Sequence, residues 1–345
     1  MKKARHSLTV KNEVFDLTQE LGKAELSLDA DAINTWKTDV YTIKREEPCS
    51  DGRRCFFMET SSGPKRLVLE PSLSACRRRL ALSGYLAESM FESQLRPIKN
   101  FYGDFYIKSR HGYYYLTDCP RFFPPDFQHE QQMREVAALL ASFHQASFGF
   151  LQAEETPICL AALPLARELL SYCALSGSDC QLRESFSVLC EQMKLVLELL
   201  PPQTEKELEF LAASQRGVCL GAGFSQGVMI TSSGLPWLAR LETVSAGVGA
   251  CDLSELLLAI GYEGGFEIGT EKAVLLAYLE RRPLPREEKS LLMASLLLPL
   301  QPVYILRSYT RGEYSREQMT ELLINCVKVE KRKKRWADAL LPLLW

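Results

Sequence analysis

The chain has 345 residues, 46% hydrophobic and 24% charged, with a formal net charge of -2 and an isoelectric point near 6.2. That is enough chain for one large globular domain or two smaller ones, and so even a balance gives no global field toward nucleic acid or an anionic surface. No stretch reaches the roughly 18 apolar residues of a membrane span. The nearest, SLLMASLLLPLQPVYIL at 290–306, is broken by Pro299, Gln301 and Pro302 and reads as a buried helix running into a second segment.

The first residues, MKKARHSLTVKNEVFDL, are basic but lack the apolar run of a signal peptide. The 11 cysteines are odd in number and form no C-x-x-C pair, so zinc-ribbon and thioredoxin-like sites are not expected. Buried, inert thiols in a reducing compartment are expected instead.

In chain order, DVYTIKRE (39–46), CFFMET (55–60) and KRLVLEP (65–71) carry strand chemistry. The last two are joined by Ser61-Ser62-Gly63-Pro64, a hairpin signal. LSACRRRLALSGYLAESMF (73–91) has helical spacing with an interruption at Gly84. FYGDFYIKS (101–109) and GYYYLTDC (112–119) form a second hairpin-like pair, and a loop with Pro120, Pro124 and Pro125 follows. From Gln128 the pattern turns helical: 133–150, 159–175, 182–200 and 204–217 before a Gly-rich stretch, then 250–261, 271–283, 287–298 and 317–341. Between them, VCLGAGFSQGVMITSSGLPWLARLE (218–242) reads as a loop and two short strands around Ser232-Ser233-Gly234. GAGFSQG is neither a dinucleotide fingerprint, since Gln226 takes the third glycine position, nor a phosphate loop, since no G-K-[ST] follows. The expected architecture is α+β: a β-rich N-terminal lobe (1–119), and a helical C-terminal lobe (120–345) with an embedded β-hairpin near 218–242. That is the plan of a two-lobed protein-kinase-like fold, and it carries no function by itself.

A phosphotransferase of that plan needs a strand lysine on the nucleotide phosphates, an aspartate at the acceptor hydroxyl, and an asparagine and a second aspartate on magnesium. The chain resembles the aminoglycoside-phosphotransferase and choline-kinase superfamily, and within it the CotS-type spore-coat proteins. The resemblance is carried by ASFHQASFGF (141–150), ACDLSELLLAIG (250–261) and LLLPLQPVYILRSYTRGEYSREQ (296–318), in order between about Trp36 and Leu340. It implies that 219–222 takes the place of the catalytic-loop motif, with Leu220 where histidine is expected and Ala222 where the catalytic aspartate is expected. Gly227 then stands for the metal-binding asparagine, Arg240 for the metal-binding aspartate, and Glu70 for the phosphate-binding lysine. Ala222 can neither take a proton nor orient a hydroxyl, Gly227 offers no ligand, and a guanidinium at 240 repels a cation. Four losses together imply a pseudokinase with no ATP or magnesium requirement. The implied partners are other spore-coat proteins, with cytoplasmic synthesis followed by assembly on the coat, no nucleic acid and no membrane span. The alternative is a small-molecule phosphotransferase using ATP and magnesium with relocated carboxylates, from Asp104, Asp118, Glu242 and Asp252. A third reading is nucleotide binding without catalysis, with Tyr115, Thr117 and Asp118 in a connector and Glu242 nearby as weak contacts.

Two residues read as structural. His144, on an apolar helix face, is expected to bond to backbone. Asp252 is expected to cap the helix DLSELLLAIG, and the resemblance makes it the aspartate that supports the catalytic loop. The run KVEKRKKRW (328–336), with Lys331, Arg332, Lys333 and Lys334, is a solvated helix face or a basic docking surface.

Overall fold

The structure is a computed structural model, and it describes residues 34–38, 40–48, 53–150, 162–175, 182–214, 218–220, 227–241 and 244–345. The chain divides into two compact units, Met1–Leu73 with Pro97–Cys119, and Ser74–Arg96 with Pro120–Trp345. Segment 74–96, which precedes Pro120 in the chain, therefore groups with the helical unit.

The first unit is an antiparallel sheet of β1 (Val40–Pro48), β2 (Arg54–Thr60), β3 (Gly63–Glu70), β4 (Pro97–Ile98), β5 (Tyr106–Ser109) and β6 (Gly112–Asp118). The order is β1-β2-β3-β6-β4, with β5 also on β6. The expected hairpin forms between β2 and β3, in register from Arg54↔Leu69 to Thr60↔Gly63. Its turn ends at Gly63, whose φ of 94° is open to glycine and costly for other residues. Period-2 alternation places Phe56, Met58, Leu67, Leu69, Tyr114 and Leu116 on one face, where they pack around Trp36. The second expected pair forms between β5 and β6, from Tyr106↔Tyr115 to Ser109↔Gly112, and most of the stretch also read as a connector, 113–119, lies in β6, a central strand with β3 along one edge and β4 and β5 along the other.

The second unit holds α1 (Leu73–Glu88), β7 (Phe122–Phe123), α2 (Glu130–Ala146), α3 (Ala162–Leu175), α4 (Arg183–Leu199), α5 (Pro202–Ser214) and β8 (Val218–Cys219). It continues with β9 (Val228–Thr231), β10 (Pro236–Leu238), β11 (Ser245–Ala246), α6 (Gly249–Gly264), α7 (Thr270–Arg281), α8 (Arg286–Leu297), α9 (Leu300–Thr310) and α10 (Arg316–Leu340). Helix α1 runs through Gly84 without a break. The embedded β element is smaller than expected. β9 pairs with β10 on one edge and with β7 on the other, while Val218–Cys219 pairs with Ser245–Ala246 in a separate two-stranded ladder. The second strand of the hairpin ends at Leu238, so Arg240 follows the strand instead of lying on it.

Apolar stripes of these helices form one continuous core that includes Leu140, Phe143, Leu189, Leu253, Leu257, Tyr278, Leu292, Leu323 and Trp336. Among the described residues no single helix is long and apolar enough to cross a membrane. α8 and α9 pass that test only together, bent by 54° at their junction, and their Leu291, Leu292, Leu296, Leu297, Val303 and Leu306 are core residues.

The run at 328–336 is neither a solvated face nor a docking surface throughout. Lys333 and Glu330 are each 1% exposed. The Lys333 ammonium lies 2.7 Å from Glu330 and donates to the Leu298 carbonyl at 2.8 Å. Gln192 donates to Glu330 at 3.2 Å and to the Leu297 carbonyl at 3.0 Å. Lys331 and Lys334 point outward and pair with Glu184 and Asp338. Cys76, Cys119, Cys190 and Cys326 are free thiols. Burial pushes Cys76 up to about 12 and Cys326 up to about 11, against the thiolate form that reactivity needs.

Candidate functional site

The site begins at the N-terminus of α6. This helix starts after Val248, which supplies no side-chain cap. Asp252 does not cap it, contrary to expectation. Glu288 of α8 does that work: its Oε2 accepts the Ala250 N–H at 3.2 Å. The Asp252 carboxylate, fully buried, is aimed instead at the strand before the Gly-rich loop, where Oδ2 accepts the Leu220 N–H at 2.8 Å. The same oxygen lies 2.9 Å from His144 Nε2.

The expected backbone bond of His144 is replaced by bonds to side chains. Its Nδ1 lies 2.7 Å from the Tyr278 hydroxyl. One proton assignment satisfies the whole chain of bonds: Arg282 Nη1 donates to the Tyr278 oxygen at 3.3 Å, Tyr278 donates to His144 Nδ1, and His144 Nε2–H donates to Asp252. Arg282 also grips Glu288 with two bonds, of 3.0 and 2.6 Å. Burial pushes the Tyr278 hydroxyl above the usual phenol range, which keeps it a neutral donor. Burial is the largest single influence on Arg282 and pulls against its charge, but Glu288 and Tyr278 together outweigh it and hold the guanidinium above its usual range. A polar chain thus runs from Glu288 through Arg282, Tyr278, His144 and Asp252 to the backbone at Leu220.

Gly249 is the space that lets this chain close. A Cβ there would lie 2.4 Å from the Tyr278 hydroxyl and 2.8 Å from His144 Nδ1. Gly249→Ala is therefore expected to push these groups apart and cost about 1–3 kcal/mol by overpacking. Chemical denaturation followed by tryptophan fluorescence measures that cost, and an unshifted midpoint would count against the packing argument.

Next to this polar chain, three of the positions singled out from the sequence come together. The Ala239 N–H donates to the Gly227 carbonyl at 2.9 Å. A Cβ at Gly227 would sit 3.8 Å from the Arg240 carbonyl oxygen and 3.7 Å from a Leu220 methyl. Positions 220, 227 and 240 therefore share one small neighbourhood. Side-chain carbon can be accommodated at 227, where glycine offers no ligand atom. The side chain of Arg240, a half-buried residue, offers only donors and positive charge. The side chains at 227 and 240 therefore supply none of the oxygen ligands that magnesium takes. Among the described residues no group of three or more His, Cys, Asp or Glu side chains could hold a metal ion. Ala222 and Glu242 lie outside the described residues.

The other positions belong to the first unit. Glu70 ends β3, buried and opposite Tyr113 of β6. Tyr115 and Thr117 are buried within β6, and Asp118 is ion-paired with Lys65. Asp104 sits on an exposed turn between β4 and β5. Sequence reasoning missed Tyr278, Arg282 and Glu288. The one local hint was the placement of Arg282 and Glu288 on either side of Pro283-Leu284-Pro285, a turn that brings successive helices together.

These units and this support carry a protein-kinase-like fold. The chain is similar to an aminoglycoside phosphotransferase from Alicyclobacillus acidocaldarius, with a TM-score of 0.73 and 16% identity over 95% of this chain and 96% of that one. It is also similar to an amicoumacin kinase solved in complex with AMP-PNP, Ca²⁺ and Ami, at a TM-score of 0.52 and 12% identity over 87% and 91% of the two chains. A third similar structure is a putative aminoglycoside phosphotransferase from Ralstonia eutropha, at a TM-score of 0.51 and 12% identity over 90% and 98%. No protein-family model matches the sequence, and no curated protein matches it. At these identities the likeness establishes the fold alone.

Proposed function

We propose that the chain is a catalytically inactive, kinase-like structural or interaction protein that assembles with other spore-coat proteins. The observation that carries the inactive reading is the juxtaposition of Gly227 with the Arg240 backbone, two positions whose side chains offer no oxygen to a cation. In-line phosphoryl transfer depends on metal ions bridging the phosphates, and without them the developing charge lacks its main stabiliser. Support for a structural role comes from the intact Asp252–His144–Tyr278 chain, which spends buried polar groups on holding the Leu220 backbone. The spore-coat assignment rests on the sequence resemblance to CotS-type proteins. On this reading the protein is made in the cytoplasm, placed on the coat, and needs neither ATP nor magnesium.

The names of the similar structures favour one alternative, a small-molecule phosphotransferase. Two of its described carboxylate candidates are already engaged: Asp252 holds Leu220 and His144, and Asp118 holds Lys65. Thermal-shift titration with ATP and GTP, with and without Mg²⁺ or Mn²⁺, separates the readings. No metal-dependent shift is expected. A saturable rise in melting temperature that requires metal would overturn the inactive reading, and a rise without metal would convert it to nucleotide binding without catalysis. Pull-down from sporulating cells tests the coat assignment, which fails if coat proteins are not enriched.

A further inference from the structure

The turn between β4 and β5 carries a feature that the kinase-like fold does not use. Phe101 is 62% exposed, Tyr102 72% and Phe105 40%, all within five residues. Three large rings held in water at one tip are unusual, because isolated exposed aromatics are common but clustered ones mark interaction sites.

The tip is built to hold them there. Asn100 is buried, and its Oδ1 accepts the backbone N–H groups of both Tyr102 and Asp104, at 2.9 and 3.0 Å. The Asn100 N–H donates to the Asp104 carbonyl at 2.7 Å, closing the loop on itself. Gly103, with φ of 89°, makes the reversal. The base is tied down from a separate segment: Phe101 N–H donates to the Thr35 carbonyl at 2.8 Å, and buried Trp36 donates to the Ile98 carbonyl at 2.8 Å. A loop this heavily bonded is a rigid presentation of its side chains, with little ordering left to do on binding.

Two lysines flank the rings. Lys37 places its ammonium 3.5 Å from the Phe101 ring centroid, and it does so from a left-handed backbone with φ of 49°, a conformation unfavourable for lysine. Lys99 lies 5.3 Å from the Phe105 centroid. Lys108 and Arg110 add exposed positive charge further along the hairpin, against the single carboxylate of Asp104.

We infer that this tip docks the protein on an anionic phospholipid surface, the rings entering the interface and the lysines meeting the phosphates. Two observations select that occupant. The combination of aromatic rings and flanking ammoniums matches the chemistry of a headgroup layer. The area also fits: the three rings offer on the order of 400 Å², about half of the roughly 800 Å² per partner that a stable protein interface needs. A lipid surface demands no complementary shape and accepts a small convex apolar tip reinforced by charge. The inference is independent of whether the chain retains catalysis.

Vesicle co-sedimentation of the full chain tests it, with phosphatidylcholine alone and with phosphatidylcholine containing about one-third phosphatidylglycerol. Binding is expected to the mixed vesicles only, and to weaken at high salt. Phe101→Ser with Tyr102→Ser should lower the partition coefficient about tenfold or more, while far-ultraviolet circular dichroism remains that of the wild type. Lys37→Glu should remove the salt-sensitive part. As a readout that does not depend on a loss of folding, Tyr102→Trp should show an indole blue shift when mixed vesicles are added. The inference is overturned if the wild-type chain ignores both vesicles, or if the double variant binds as well as the wild type. Retention on immobilised polyglutamate that needs Tyr102, with no vesicle binding, would assign the tip to an acidic protein surface and equally overturn it.

Discussion

Replacing Lys333 by methionine is expected to cost about 3–5 kcal/mol, because it leaves the Glu330 carboxylate buried without its cation. Both groups are 1% exposed, so water cannot take the place of the missing partner. Burial already pushes the Glu330 carboxyl above the usual carboxylate range, partly countered by Lys333, and pulls the Lys333 ammonium below its usual range, partly countered by Glu330. These directions mean that desolvation opposes both charges and that each survives through the other. The pH dependence follows. In the single variant the folded-state pKa of Glu330 stays above its unfolded value, so the folded form binds the proton more readily. The variant's deficit should therefore be largest above the folded pKa and should shrink as the pH falls toward the ordinary carboxylate range. Urea denaturation of wild type and variant at a series of pH values measures this, and a deficit independent of pH would sink the argument. Adding Glu330→Leu to Lys333→Met should recover most of the loss, since an apolar pair of similar volume often matches or exceeds a buried ion pair. Gln192 would still satisfy the Leu297 carbonyl in that double variant.

This pair also shows how composition can hide position. KVEKRKKRW reads as a solvated run, yet Met319, Leu323, Val327, Glu330, Lys333, Ala337 and Leu340 recur at helical spacing and form the buried stripe of α10. The periodicity was present in the sequence, and the charge of Glu330 and Lys333 masked it. The β2–β3 hairpin was legible because alternation and its turn residues agree. Strands β7, β8 and β11 were not, since a two-residue strand has no period to detect. The placement of Arg240 beyond β10 follows from the same limit: a three-residue strand leaves its end to tertiary pairing, here with Ser93 and Leu95 bonding to Leu238. Of the support beneath the loop, His144 and Asp252 stood within recognisable stretches. Tyr278 is 134 positions from the imidazole it holds, a distance over which spacing carries no signal.

Asp252 offers the sharper test of how the loop is held. Asp252→Ala would strand two buried donors at once, the Leu220 N–H and the His144 Nε2–H, at about 1–3 kcal/mol each. A total near 2–5 kcal/mol is expected by denaturation. Tyr278→Phe removes the bond to His144 and the longer one from Arg282, which keeps Glu288, and leaves Asp252 in place, so its cost should be nearer to about 1 kcal/mol. The two variants should also differ in where they act. Loss of the Asp252 carboxylate should speed amide hydrogen exchange at Leu220 and in the β8–β11 ladder, because the strand entering the Gly-rich loop is bonded to that oxygen. Tyr278→Phe should leave exchange at Leu220 close to that of the wild type. If Asp252→Ala lowered stability without altering protection at Leu220, the carboxylate would be a packing group of the helical core, and the loop would owe its path to something else.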